Sequence, residues 1–198
     1  TGSQVLLELR TAATPTDDST RIALSQYAAA LVQQVPGMRY LTLAPAVTAT
    51  GTADYAAAYL AVHDAVKAAL PSVELAPLLD GSSSPKTTLD VLAHAVPAED
   101  VDVFAFRPAG PTAAGWTADD VPQLLSTLAD VFGRAPPLLI DGLATPTTIP
   151  SDQLAWYPAT QQPDPSAVTA KEQGSLYAQL IASTACSTSI SAIVLDRL

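Results

Sequence analysis

Residues 39–79 read RYLTLAPAVTATGTADYAAAYLAVHDAVKAALPSVELAPLL. The two outer pieces, Arg39–Leu43 and Val73–Leu79, are apolar almost without a break, as strands covered on both faces are. Between them Tyr55, Tyr59, Val62, Val66 and Leu70 recur at helical spacing and line one face. Pro71 ends that helix. Strand, helix and strand in this order predict a βαβ unit with parallel strands and a right-handed crossover.

The same rhythm continues in both directions. Val5–Leu9, Val101–Phe106, Pro137–Ile140 and Ile190–Leu195 read as further buried strands. Leu24, Tyr27, Ala28, Leu31 and Val35 fall on one helical face, and Val121, Leu124, Leu125, Leu128 and Phe132 on another. Ser84-Pro85 reads as N-cap then first helical residue, and Thr169-x-x-Glu172 as a capping box. Pro36-Gly37 marks a helix end. Six strands alternating with five helices predict an α/β fold of the TIM-barrel type over a single domain, residues 1–198; an open doubly wound sheet also fits the pattern. A closed barrel needs eight strands, so the expectation is an incomplete one, lacking its first strands. Two long loops, Arg107–Asp119 and Gly142–Ala167, follow strands and therefore belong at the sheet's C-terminal edge, where α/β proteins place their sites.

Composition narrows the function. Hydrophobic residues make up 48% of the 198 and charged ones 14%, which suits a packed domain rather than a disordered chain. The formal net charge is -10, so a phosphate backbone or an anionic membrane surface is an unsuitable partner. No apolar run is long enough to cross a bilayer. Thr1-Gly2-Ser3 lacks an initiating Met and a basic leader, which predicts a processed or trimmed chain or a fragment. With Cys186 alone there is no internal disulfide, and with only His63 and His94 beside it no zinc cluster; no metal or cofactor is expected. Few Lys with many Ala, Thr and Pro suggest an exported protein.

The order of segments resembles secreted bacterial TIM-barrel glycoside hydrolases of the cellulase and xylosidase type. SQYAAALVQQVPGMRY (Ser25–Tyr40) is similar to the helix and strand before that group's acid/base, and YAAAYLAVHDAVKAAL (Tyr55–Leu70) to the next helix. VDVFAFRPAG (Val101–Gly110) resembles a strand usually ending in His-Pro-Tyr, and PPLLIDGLAT (Pro137–Thr145) the strand that presents the nucleophile. By this comparison the chain starts near the third barrel strand. The resemblance implies two carboxyl groups flanking a glycosidic bond, one a proton donor. The donor's position falls in Ala44-Pro45-Ala46-Val47-Thr48, and no Asp, Glu or Asn occurs from Met38 to Ala53. Arg107 stands in place of the His, Ala109 in place of the Tyr, and only Asp141 lies near the second carboxylate's position. Together these changes point to lost catalysis.

Several residues carry two interpretations. Asp141-Gly142 is either a surviving nucleophile or a turn pair. Glu8, Asp80, Asp141 and Asp196, all near strand ends, are either an acidic mouth for a metal or sugar hydroxyls or merely solvated charges; Arg107 could pair with one of them. Trp116, Trp156 and Tyr157 are either sugar-stacking platforms or anchors for loops and protein contacts. His63 and His94 read as packing or surface residues, and Cys186 as a small buried hydrophobe. The expected function is a non-catalytic glycosidase-like domain, a structural or binding module at the cell surface or in an extracellular assembly. Its partners would be other protein chains or further domains of the same protein, with carbohydrate possible. The alternatives are a hydrolase using relocated carboxylates from Glu8, Asp141 and Asp196, and a carbohydrate-binding module.

Overall fold

The computed structural model describes residues 5–48, 50–81, 85–108, 120–144, 147–156 and 167–196. Its elements run β1 (Val5–Arg10), α1 (Asp18–Gln34), β2 (Met38–Val47), α2 (Thr52–Ala69), β3 (Glu74–Asp80), α3 (Pro85–Ala95), β4 (Phe104–Arg107), α4 (Asp120–Phe132), β5 (Leu138–Ala144), α5 (Ala170–Thr184) and β6 (Ile190–Asp196). All six strands form one sheet in the order β1-β2-β3-β4-β5-β6, and each neighbouring pair is parallel. That order excludes a doubly wound sheet, in which the strand order reverses. The sheet is a curled half-barrel with its helices outside.

Period-two alternation divides the core between two faces. Leu41, Leu43, Leu75, Leu79, Phe104, Phe106, Leu138 and Ile140 point outward and pack against the helices. Burying a leucine there stabilises by roughly 1.5–3 kcal/mol, and Leu75→Ala would leave a cavity as well. The inner face holds a smaller cluster of Tyr40, Ala44, Ala76, Leu78, Val103, Ala105 and Leu139. Its alanines let the sheet curve without crowding the concave side.

All six strands extend beyond their apolar runs at the C-terminal end, β6 by Asp196. β1 takes in Arg10, β3 takes in Asp80, β4 takes in Arg107, and β5 takes in Asp141 through Ala144. β2 runs four residues past Leu43 to Val47, through a cis Ala44–Pro45 bond and a register shift. The polarity that ends a hydrophobic run does not end the ladder; it marks where side chains turn towards solvent at the mouth.

Pro77 lies in the middle of β3, an interior strand, where its missing N–H would leave a gap in the ladder. The Tyr55 hydroxyl from α2 fills that place. It donates to Leu43 O at 3.0 Å and accepts from Leu78 N at 2.8 Å. The Tyr59 hydroxyl lies 3.1 Å from Leu75 O and 2.9 Å from Asp100 O, so its single proton is shared between two carbonyls. Burial pushes both phenols far above their ordinary pKa.

Helix starts follow local chemistry. Asp17 accepts from Thr20 N at 2.9 Å at the head of α1. The capping box of Thr169 and Glu172 is present at α5. Ser84 lies outside the described residues. Cys186 departs from expectation: it is exposed, as Ala182 and Ala185 before it are, because the buried stripe of α5 runs through Tyr177, Leu180 and Thr184 on the other side. Tyr27 also departs. It belongs to the apolar stripe of α1 yet is 60% exposed.

Candidate functional site

Three strands meet over the concave face. Leu6, Glu8 and Arg10 alternate inward from β1, Ala105 and Arg107 from β4, and Leu139 and Asp141 from β5. Arg107 Nη2 donates to Glu8 Oε2 and to Asp141 Oδ2, each at 2.7 Å. Arg10 grips the other Glu8 oxygen, from Nε at 2.9 Å and Nη2 at 2.7 Å. Glu8 and Asp141 sit four strands apart, about 19 Å on a flat sheet at ~4.8 Å per strand. Only the curl brings both to one nitrogen.

The charges balance unevenly with depth. The Asp141 side chain is 6% exposed, Glu8 21% and Arg107 29%. Burial pushes the Asp141 carboxyl above its ordinary value; the Arg107 guanidinium pulls it down, and the Glu8 charge adds a smaller push upward. The net shift is upward, so desolvation outweighs the ion pair. Burial alone would lower the Arg107 pKa, but the Asp141 and Glu8 carboxylates outweigh it and hold the guanidinium charged.

Two neighbours shape this cluster. Gly142 has φ 71°, a conformation that favours glycine, and a Cβ there would lie 3.2 Å from Arg107 Nε. Its position coincides with a register shift between Ile140 and Leu143, so Asp141-Gly142 is a bulge inside β5 and not a turn between elements. Thr42 is the register partner of Glu8 and is fully buried. Its Oγ1 finds no hydrogen-bond partner among the described residues.

The structure thus brings together Glu8, Arg107 and Asp141 from the sequence candidates. Asp80 is the register partner of Arg107. Asp196 ends β6, register partner of Ala144, and its side chain lies outside the described residues, as do Trp116 and Tyr157. Trp156 closes a short 3-10 turn and is 77% exposed. The chain on either side of that turn is pinned by a parallel bridge between Thr147 and Val168. His63 is buried and stacks on Tyr59, while His94 Nδ1 sits 2.5 Å from Asp90 O on the exposed side of α3. Among the described residues no three His, Cys, Asp or Glu side chains are grouped to hold a metal. Likewise no described helix is long and apolar enough to cross a membrane.

Sequence reasoning missed Arg10 and Thr42, and took Gly142 only as half of a turn pair. Arg10 carries a signal, since i, i+2 spacing in a strand puts it on the face of Glu8. Thr42 carries none, because a threonine in an apolar strand reads as ordinary filling.

No protein-family model matches the chain, and no curated protein matches it. Solved structures do. A glucosidase from Croceicoccus marinus superposes with a TM-score of 0.65 at 13% identity, over 99% of this chain and 42% of that one. The fold is the one these glycoside hydrolases use. A β-glucuronidase from Bacteroides uniformis gives 0.64 at 9% identity, over 98% of this chain and 23% of its own. The GH53 catalytic domain of Ignisphaera aggregans gives 0.59 at 16%, over 89% and 52%. This chain therefore spans about a quarter to a half of the proteins it resembles, and what it shares with them is the backbone arrangement.

Proposed function

We propose that the chain is a non-catalytic domain on a glycoside-hydrolase-like fold, a structural or binding module of an extracellular or cell-surface assembly. The observation that carries this reading is the single Arg107 nitrogen held by both Glu8 and Asp141. The two oxygens lie no farther apart than twice 2.7 Å, close to the ~5–5.5 Å between the carboxylates of a retaining glycosidase. A guanidinium fills the space where a glycosidic oxygen would have to enter. The end of β2, Ala44–Val47, offers no carboxyl group to replace them. Arg107 therefore works as a fixed internal counter-ion to both carboxylates.

One observation favours the alternative of a hydrolase with relocated carboxylates: Asp141 combines that spacing with an upward-shifted pKa, as a proton donor requires. The exposed Trp156 ring suits a carbohydrate-binding role instead. A panel of aryl glycosides and polysaccharides tests the proposal. The expected outcome is no sugar release above the blank. Release that disappears in Asp141→Asn or Glu8→Gln would overturn it.

A further inference from the structure

Arg107 joins two parts of the sheet that no ladder joins. It stands on β4, and its partner Asp141 stands on the neighbouring β5. Glu8 stands on β1, three strands away, so the two side chains reach across the concave face to meet at 2.7 Å. Among the described residues this is the one ion pair between strands that are not neighbours. Arg39–Glu74 joins the adjacent β2 and β3, and Arg10–Glu8 lies within β1.

β1 has little else to hold it. It is an edge strand that pairs only with β2. Of its residues only Leu9 is buried, whereas in β3 every residue from Leu75 to Leu79 is. The inner face beside it is lined by Ala44, Ala76 and Ala105, which offer little surface to pack against. An element with few buried contacts opens before the rest of a fold.

The charges round Glu8 fix what releases it. Arg10 approaches from its own strand and Arg107 from β4, and the charge of Asp141 on β5 is felt through them. β2 opposes Glu8 with Thr42, which is uncharged, and β3 brings Asp80, the register partner of Arg107. β6 ends on Asp196, whose side chain lies outside the described residues. A proton on Glu8 cancels its attraction to both arginines. Arg107 then stays with Asp141 on the next strand, and no ion pair among the described residues ties β4 to β1.

We propose that the Arg107–Glu8 pair is a releasable strut that sets the curl of the sheet, and that acid, by neutralising Glu8, frees β1 and α1 to swing away from β4 and widen the concave face. The inference goes beyond the question of catalysis. It concerns the shape of the sheet and holds whether or not a glycan is turned over.

The test is the distance between nitroxide spin labels on α1 and α4, read by double electron–electron resonance. The labels go on the exposed positions Gln26→Cys and Ser126→Cys, with Cys186→Ser removing the exposed native thiol. With the cluster intact at neutral pH, one narrow distance is expected. Glu8→Gln should lengthen it by on the order of 5 Å, one strand spacing. Asp141→Asn and Arg10→Gln should leave it unchanged, because each keeps the Arg107–Glu8 bond. Lengthening in either of those two, or none in Glu8→Gln, would overturn the proposal. A second measurement needs no substitution in the cluster. Acidifying the labelled chain to about pH 3, below the ordinary carboxylate range, should give the same lengthening while far-ultraviolet circular dichroism still shows the helices. No lengthening, or lengthening that arrives only with loss of the helices, would also overturn it.

Discussion

The cluster at the mouth depends on a few atoms whose replacement has a definite sign. Gly142→Ala places a side chain at φ 71° and pushes on Arg107, so thermal denaturation should show a loss of about 1–2 kcal/mol from the backbone conformation alone. Thr42→Val removes a buried hydroxyl that has no partner among the described residues, and should raise stability by roughly 1 kcal/mol; a loss instead would mean that the hydroxyl is satisfied. Asp141 fixes a pH trend. Its folded pKa is raised above its ordinary 3.8, so its contribution is complete below that value and is lost as pH rises through the folded pKa. Melting curves of Asp141→Asn should therefore gain on the wild type between pH 3 and pH 7. At this scale the sequence revealed the charges and hid their partnerships. The acidic residues at strand ends and Arg107 were visible, but that Arg107 binds two carboxylates at once follows from the curvature, which no local pattern encodes. Asp-Gly was visible as a residue pair, but turns and bulges use the same positive-φ glycine.

Among the elements, β3 makes the sharpest demand on its neighbours. Proline in an interior strand reads as an argument against that strand, and the run was legible only because the residues round Pro77 are so apolar. What makes it tolerable is Tyr55, which stands on the predicted buried face of α2 and delivers a hydroxyl between Leu43 O and Leu78 N. Tyr55→Phe leaves both groups buried and unpaired, at about 1–3 kcal/mol each; denaturant melts should show the loss, with the β2–β3 amides exchanging faster. Strand ends were the least legible feature. The apolar runs located every strand, and the polar extensions that carry Arg10, Asp80, Arg107 and Asp141 followed from ladder hydrogen bonding instead. Helix boundaries fared better where a cap acts locally, as at Thr169 and Glu172.

In the whole molecule, six parallel strands were readable from the alternation of buried strands with amphipathic helices, and so was the shortfall from eight; their sequential order was not, because a doubly wound sheet shows the same alternation. The direction and degree of curl were not, since they arise from small residues on the concave face and from pairings between distant strands. That curl is the central claim, because it alone lets β1 and β5 share one guanidinium. The most direct measurement is an NMR titration of the Asp141 side-chain carboxyl carbon in the wild type and in Glu8→Gln. Asp141 should titrate above the ordinary carboxylate value in the wild type, and should move down when the Glu8 charge is removed and Arg107 is left to it alone. An Asp141 that titrates normally and ignores Glu8 would contradict the account, since two groups on a flat sheet, about 19 Å apart at ~4.8 Å per strand, would scarcely sense each other.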